Sequence, residues 1–158
     1  MEGYENPTAM DFVREARNLV GVPYQHMGRN PKVGLDCVGL LLATGRATGC
    51  NERGFRDLPY GRYPAGWQMV DEFGKFLDVV WDQRKNTEPL QPFLENGDVL
   101  IVAFRKLPMH IGIVSIKKGG WNIIHAYSVT KKVVEHGLDG SWLSMGRALL
   151  RVREFSDG

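Results

Sequence analysis

The sequence predicts an α+β domain, helices first and an antiparallel β-meander after, because its hydrophobic period changes along the chain. In the first half, apolar residues recur at helical intervals between glycine and proline punctuation. The last third turns to short runs rich in Val, Ile and aromatic residues, separated by turn residues, which read as strands. At 158 residues the chain (1–158) suits one domain with one core, and no internal repeat or low-complexity tract divides it.

Thr8-Ala9-Met10-Asp11 has capping-box spacing, and Phe12, Val13, Ala16, Leu19 and Val20 follow at helical intervals until Gly21 and Pro23. A second helix runs from Leu35 to Gly49, with Asp36 placed to cap it and Cys37 in its first turn. Gly54 to Gly66 reads as a loop. Val70, Phe73, Leu77, Val80 and Trp81 then mark one face of a third helix, weakened by Gly74. After the connection Asn86 to Asp98 come strands at Val99 to Phe104, Met109 to Ile116, Trp121 to Tyr127 and Thr130 to His136. A turn or short helix from Gly137 to Gly146 precedes a closing strand, Ala148 to Phe155.

Net charge is only +2, hydrophobic residues make up 43% and charged residues 24%, with Lys and Arg scattered, so no nucleic-acid partner is expected. The longest apolar run, Val38 to Ala43, falls far short of the roughly 20 residues of a membrane span. Met1 to Met10 has neither a basic nor an apolar signal region, so the expectation is a protein made in a cytoplasm without a signal peptide. Cys37 and Cys50 stand at opposite ends of the second helix, on the order of 20 Å apart, too far for a disulfide.

The turn Lys117 to Gly120 sets a register between the two middle strands. Pairing Ile116 with Trp121 places Gly112 opposite His125 and His110 opposite Tyr127, so both histidines share one face as diagonal neighbours. Gly112 is expected to leave room there for an imidazole or a substrate. A cysteine at a helix N-terminus lies where the dipole and free amides favour a thiolate. Cys37 as nucleophile, His110 as base and His125 as its orienter would suit acyl transfer. The same three residues would also suit zinc, although no close ligand pair anchors such a site. A lone Cys in an apolar helix is commonly just a small core residue, and Cys50 reads as one. His26 and His136 have no assigned role.

Gly21-Val22-Pro23-Tyr24, Gly28, and Leu35-Asp36-Cys37-Val38-Gly39-Leu40 resemble motifs of the NlpC-type cell-wall cysteine peptidases. So do Asn96-Gly97-Asp98-Val99, Met109-His110-Ile111-Gly112-Ile113 and Ile124-His125-Ala126, in the family's order across most of the chain. The resemblance implies a papain-like fold in which the cysteine heads a helix packed on the histidine-bearing sheet. It implies Cys37 as nucleophile, His110 as general base, His125 as orienter, Tyr24 beside the oxyanion and Asp36 at the substrate, with no metal or cofactor. Plain packing after Pro23 is the alternative for Tyr24, and helix capping explains Asp36 equally well.

The implied reaction is hydrolysis of peptidoglycan stem peptide, at the γ-D-glutamyl to diamino-acid bond, through a thioester. Val38 departs from the usual Ser after the cysteine, a residue that helps hold a substrate amine in family members. The runs Tyr24 to Arg29 and Asp36 to Leu40 resemble the phage-type branch, implying phage tail proteins as partners and a virion-tail or prophage setting. Alternatives are an amidase or acyltransferase on the same fold, or a tail assembly protein with an unused site.

Overall fold

The computed structural model describes residues 4–50, 55, 57, 66–104, 110–153 and 155. Helix α1 spans Ala9–Arg17, and the expected capping box is formed: the Thr8 side chain accepts from the Asp11 amide, and the Asp11 carboxylate accepts from the Thr8 amide. Two short strands, β1 (Arg29–Asn30) and β2 (Gly34–Leu35), pair just ahead of helix α2 (Cys37–Thr48). Gly49 ends α2 in the left-handed conformation that an L side chain resists.

Apolar or small residues cover nearly the whole surface of α2, as suits a helix enclosed by other elements. Leu40, Leu41, Thr44, Gly45 and Thr48 are all buried. The buried Thr44 and Thr48 hydroxyls donate to the carbonyls of Leu40 and Thr44, so neither is left unsatisfied.

The third helix is shorter than the sequence predicts. Helix α3 covers only Trp67–Phe73, and Leu77–Asp82 forms strand β3. Helical spacing of Leu77, Val80 and Trp81 was misleading because Gly74 closes the helix and Val79-Val80 favours extended backbone. The partner that stabilises β3 lies some 70 residues on. Strands β4 (Val99–Val102), β5 (His110–Lys117), β6 (Gly120–Tyr127), β7 (Lys132–Gly137) and β8 (Gly146–Val152) follow, with short helix α4 (Gly140–Ser144) before β8. The expected loop from Gly54 to Gly66 and the strand start at Met109 lie largely outside the described residues.

The six-stranded sheet has the order β3-β8-β4-β5-β6-β7, antiparallel throughout, which bears out the α+β expectation. Its main core, including Phe12, Val38, Leu40, Leu41, Val99, Ile101, Ile111, Ile113, Ile124 and Val133, lies under α1 and α2. Alternate residues Leu100, Val102, Val114, Ile123 and Leu149 build a smaller cluster on the other face with Trp81, Leu90 and Leu94. No helix among the described residues is long and apolar enough to cross a membrane.

Two buried carboxylates fasten the periphery. Glu135 on β7 receives both Arg17 nitrogens from α1, at 2.8 and 2.7 Å, and the Ser115 hydroxyl from β5 at 2.7 Å. Asp98, at the entry to β4, receives Arg151 from β8 at 2.7 and 2.9 Å and the Glu95 amide at 2.9 Å. Because the Asp98 side chain is 1% exposed, removing its cation strands a buried charge. Arg151→Leu is expected to cost about 3 kcal/mol, read by urea unfolding at pH 7; a change below about 0.5 kcal/mol would contradict this account of the pair.

Candidate active site

Asp36 sets the start of α2. Its carboxylate accepts from the Gly39 amide (2.8 Å), the Met27 amide (2.9 Å) and the Arg29 guanidinium (2.7 Å), fixing helix and preceding loop in one arrangement. Backbone crowding is severe here: a Cβ on Gly39 would run into the Gly28 carbonyl, so that loop reaches α2 only because position 39 is glycine. These contacts describe Asp36 as the cap. Tyr24 is half-buried against the main core, its amide bonded to the Lys131 carbonyl and its backbone bridged to Leu35.

Cys37 is the first residue of α2 and only 8% exposed. The backbone amides of Ile111 on β5 and of Val38 lie close enough to its sulfur to favour the ionised form. The helix therefore delivers the thiol to the strand residue next to His110. Among the described residues no hydrogen bond joins Cys37 to His110; in a resting site such bonds often form only with substrate in place. Burial pushes the thiol up to about 12, with the Asp36 charge adding to it, while the two amides and Arg29 pull the other way. The resting sulfur is thus a thiol, and the expected helix-terminus thiolate is overruled by desolvation. Val38 packs fully buried in the main core.

The hairpin register is as the sequence predicts: Ile116 pairs with Trp121 and Lys117 with Gly120. It makes His110 and His125 diagonal neighbours, with His110 Nε2 2.7 Å from His125 Nδ1. The expected free space at Gly112 is filled: a Cβ there would lie 2.5 Å from the Ile123 side chain and 3.2 Å from His125 Cβ. Gly112 lets the neighbouring side chains close in.

One partner escaped the sequence reading. His136 on β7 sits diagonally from His125, with Nε2 2.8 Å from His125 Nε2 and Nδ1 3.0 Å from the Gly137 carbonyl. The signal was available, since the turn after Tyr127 gives Tyr127↔Lys132 pairing and the same parity puts His136 on the face of His125. Aromatic rings enclose the row: Phe104 lies 4.9 Å from His110, and Trp142 lies 5.0 Å from His125 and 4.9 Å from His136. His26 is exposed, and Cys50 is a buried core thiol.

Burial holds His110 at about 3 and His125 at about 2, the latter helped by His110 and His136, so both rings rest neutral. For the zinc alternative, no group of three or more His, Cys, Asp or Glu among the described residues is arranged to hold a metal ion.

The depressed histidines tie stability to pH. Below about pH 6.5 the unfolded chain binds protons that the folded chain refuses, so stability falls as pH drops. Between pH 7 and 5, ahead of most carboxylates, thermal unfolding of wild type is expected to move down, and that of His125→Leu to move less. A midpoint independent of pH in this window would contradict the buried neutral pair.

The fold has well-defined relatives. The chain superposes on an NlpC/P60 family protein from Bacillus cereus (TM-score 0.59, 19% identity), covering 95% of this chain and 41% of that one. It matches the NlpC/p60 domain of the peptidoglycan hydrolase SagA (0.53, 20%) over 92% of this chain and 99% of that one. The P60 domain of the M. avium subspecies paratuberculosis antigen MAP1204 gives a TM-score of 0.57 and 14% identity over 92% of this chain and 94% of that one. The chain spans about two fifths of the length of the Bacillus protein. No family model matches the sequence, and no curated protein matches it. The chain has the NlpC/P60 fold, with α2 and the antiparallel sheet as the expected papain-like pair.

Proposed function

We propose that this chain with the NlpC/P60 fold is a cysteine peptidase of peptidoglycan stem peptides, with Cys37 as nucleophile and His110 as general base. The observation that carries the reading is the delivery of the Cys37 sulfur to the Ile111 amide, one residue from a His110 that is itself bonded to His125. A peptidoglycan hydrolase, SagA, shares the fold.

In this mechanism the His110 imidazole takes the Cys37 proton as the sulfur adds to the scissile carbonyl. The Val38 amide, already at the sulfur, meets the oxyanion, with Tyr24 beside it. Collapse expels the amine, which takes the proton from His110, and leaves a thioester. Water, deprotonated by His110, hydrolyses the thioester to a carboxylate and returns the proton to sulfur.

The γ-D-glutamyl to diamino-acid bond is the proposed target, and the Tyr24 to Arg29 and Asp36 to Leu40 runs support a tail-delivered or prophage-encoded setting with tail proteins as partners. The buried Val38, in place of a polar residue, favours a second reading, an amidase or acyltransferase on the same site, which a panel of amide and ester substrates separates.

Purified peptidoglycan and defined stem peptides, digested by wild type and Cys37→Ala with products read by mass spectrometry, test the reading. Cleavage by wild type, unchanged by chelator and reduced on the order of 10³-fold or more in the variant, is expected. Cleavage surviving in Cys37→Ala, or none by folded wild type, would overturn it.

A further inference from the structure

Three histidines step diagonally across β5, β6 and β7 and end on a main-chain carbonyl, in the order His110, His125, His136, Gly137. We infer that His136 is a positioning residue for His110: through His125 it carries the preference of the Gly137 carbonyl to the base and fixes which His110 nitrogen is free to take a proton. The catalytic consequence rests on the peptidase reading; the geometry does not.

The direction of each bond follows from the last one. A carbonyl oxygen only accepts, so the 3.0 Å contact makes His136 Nδ1 the donor. In a neutral ring His136 Nε2 then has no proton and accepts at 2.8 Å from His125 Nε2–H. His125 Nδ1 must in turn accept at 2.7 Å from His110 Nε2–H. His110 is left with an unprotonated Nδ1, the nitrogen nearer its own main chain, where the following residue, Ile111, has its amide beside the Cys37 sulfur. Without the terminal carbonyl, the paired rings have two equivalent arrangements, and one of them puts a proton on His110 Nδ1 and blocks it as a base.

The row is closed at one end and open at the other: His125 is fully buried, whereas His136 is part-exposed. The groups facing His136 are His125 from β6, the Trp142 ring from α4, and Asp139 ahead of α4, whose carboxyl is lowered chiefly by the Ser141 hydroxyl and the Trp142 amide. Trp142 packs against His125 and His136, the middle and last rings of the row.

Side-chain 15N NMR of the folded wild-type protein near pH 7.5 reads the tautomers directly. The expected state is Nδ1–H at His136 and Nε2–H at both His125 and His110; Nδ1–H at His110 would overturn the inference. His136→Gln places an acceptor where Nε2 stood, whereas His136→Leu removes the acceptor. In the Leu variant, tautomers at His125 and His110 are expected to mix and Cys37 alkylation by iodoacetamide to slow about tenfold. The Gln variant is expected to restore the His110 tautomer and most of the rate. An unmoved tautomer and rate in folded His136→Leu, or a Gln variant as impaired as Leu, would overturn it. Neither readout needs substrate, so correct tautomers without stem-peptide cleavage would count against the peptidase reading alone. Cleavage with unmoved tautomers would count against the role of His136 alone.

Discussion

The arrangement of the site depends on one buried carboxylate. Asp36 caps α2 through Gly39, holds the Met27 amide and pairs with Arg29, and so fixes where the first residue of the helix must be. That residue is Cys37. Capping is ordinarily a matter of about 1 kcal/mol of helix stability; here the same bonds also set the height of the sulfur against β5. The close approach of the Gly28 carbonyl to Gly39 makes the position stiff, since neither backbone can retreat without breaking the cap.

Burial gives this rigidity a chemical cost and a chemical use. A sulfur held up to about 12 and imidazoles held at about 3 and about 2 rest as a protonated thiol and two neutral rings. The same low-polarity surroundings strengthen any charge formed there, because fixed amides replace water as its partners. The two amides at the sulfur, from Ile111 and Val38, belong to a strand and a helix start, the most rigid backbone available.

The sheet supplies the second half of the site by register alone. Each histidine is displaced by two residues from its neighbour's partner position, so the three rings form a slanting row on the face opposite α1 and α2. Gly112 makes the row compact, and Phe104 and Trp142 close it from outside. Sulfur and imidazoles thus come from different layers of the protein, the sulfur beside the Ile111 amide and the first imidazole one residue before it in β5.

Much of this was legible in the sequence because it is local. The Thr8 and Asp36 caps depend on spacings of three residues, and the shared face of His110 and His125 follows from the parity of one short turn. The motif resemblance extended those readings to the fold, which structural relatives at 14 to 20% identity bear out. The identity of Leu77–Asp82 as a strand was not legible, since its stability comes from pairing with β8 far along the chain, while its own spacing also fits a helix. The ionisation of Cys37 was equally hidden: a helix terminus favours the thiolate, and only packing against β5 shows that desolvation outweighs it. Sequence determined which groups stand at each turn and strand position; tertiary structure decided which of them lost their water and which nitrogen met which, because both depend on what the chain brings from elsewhere.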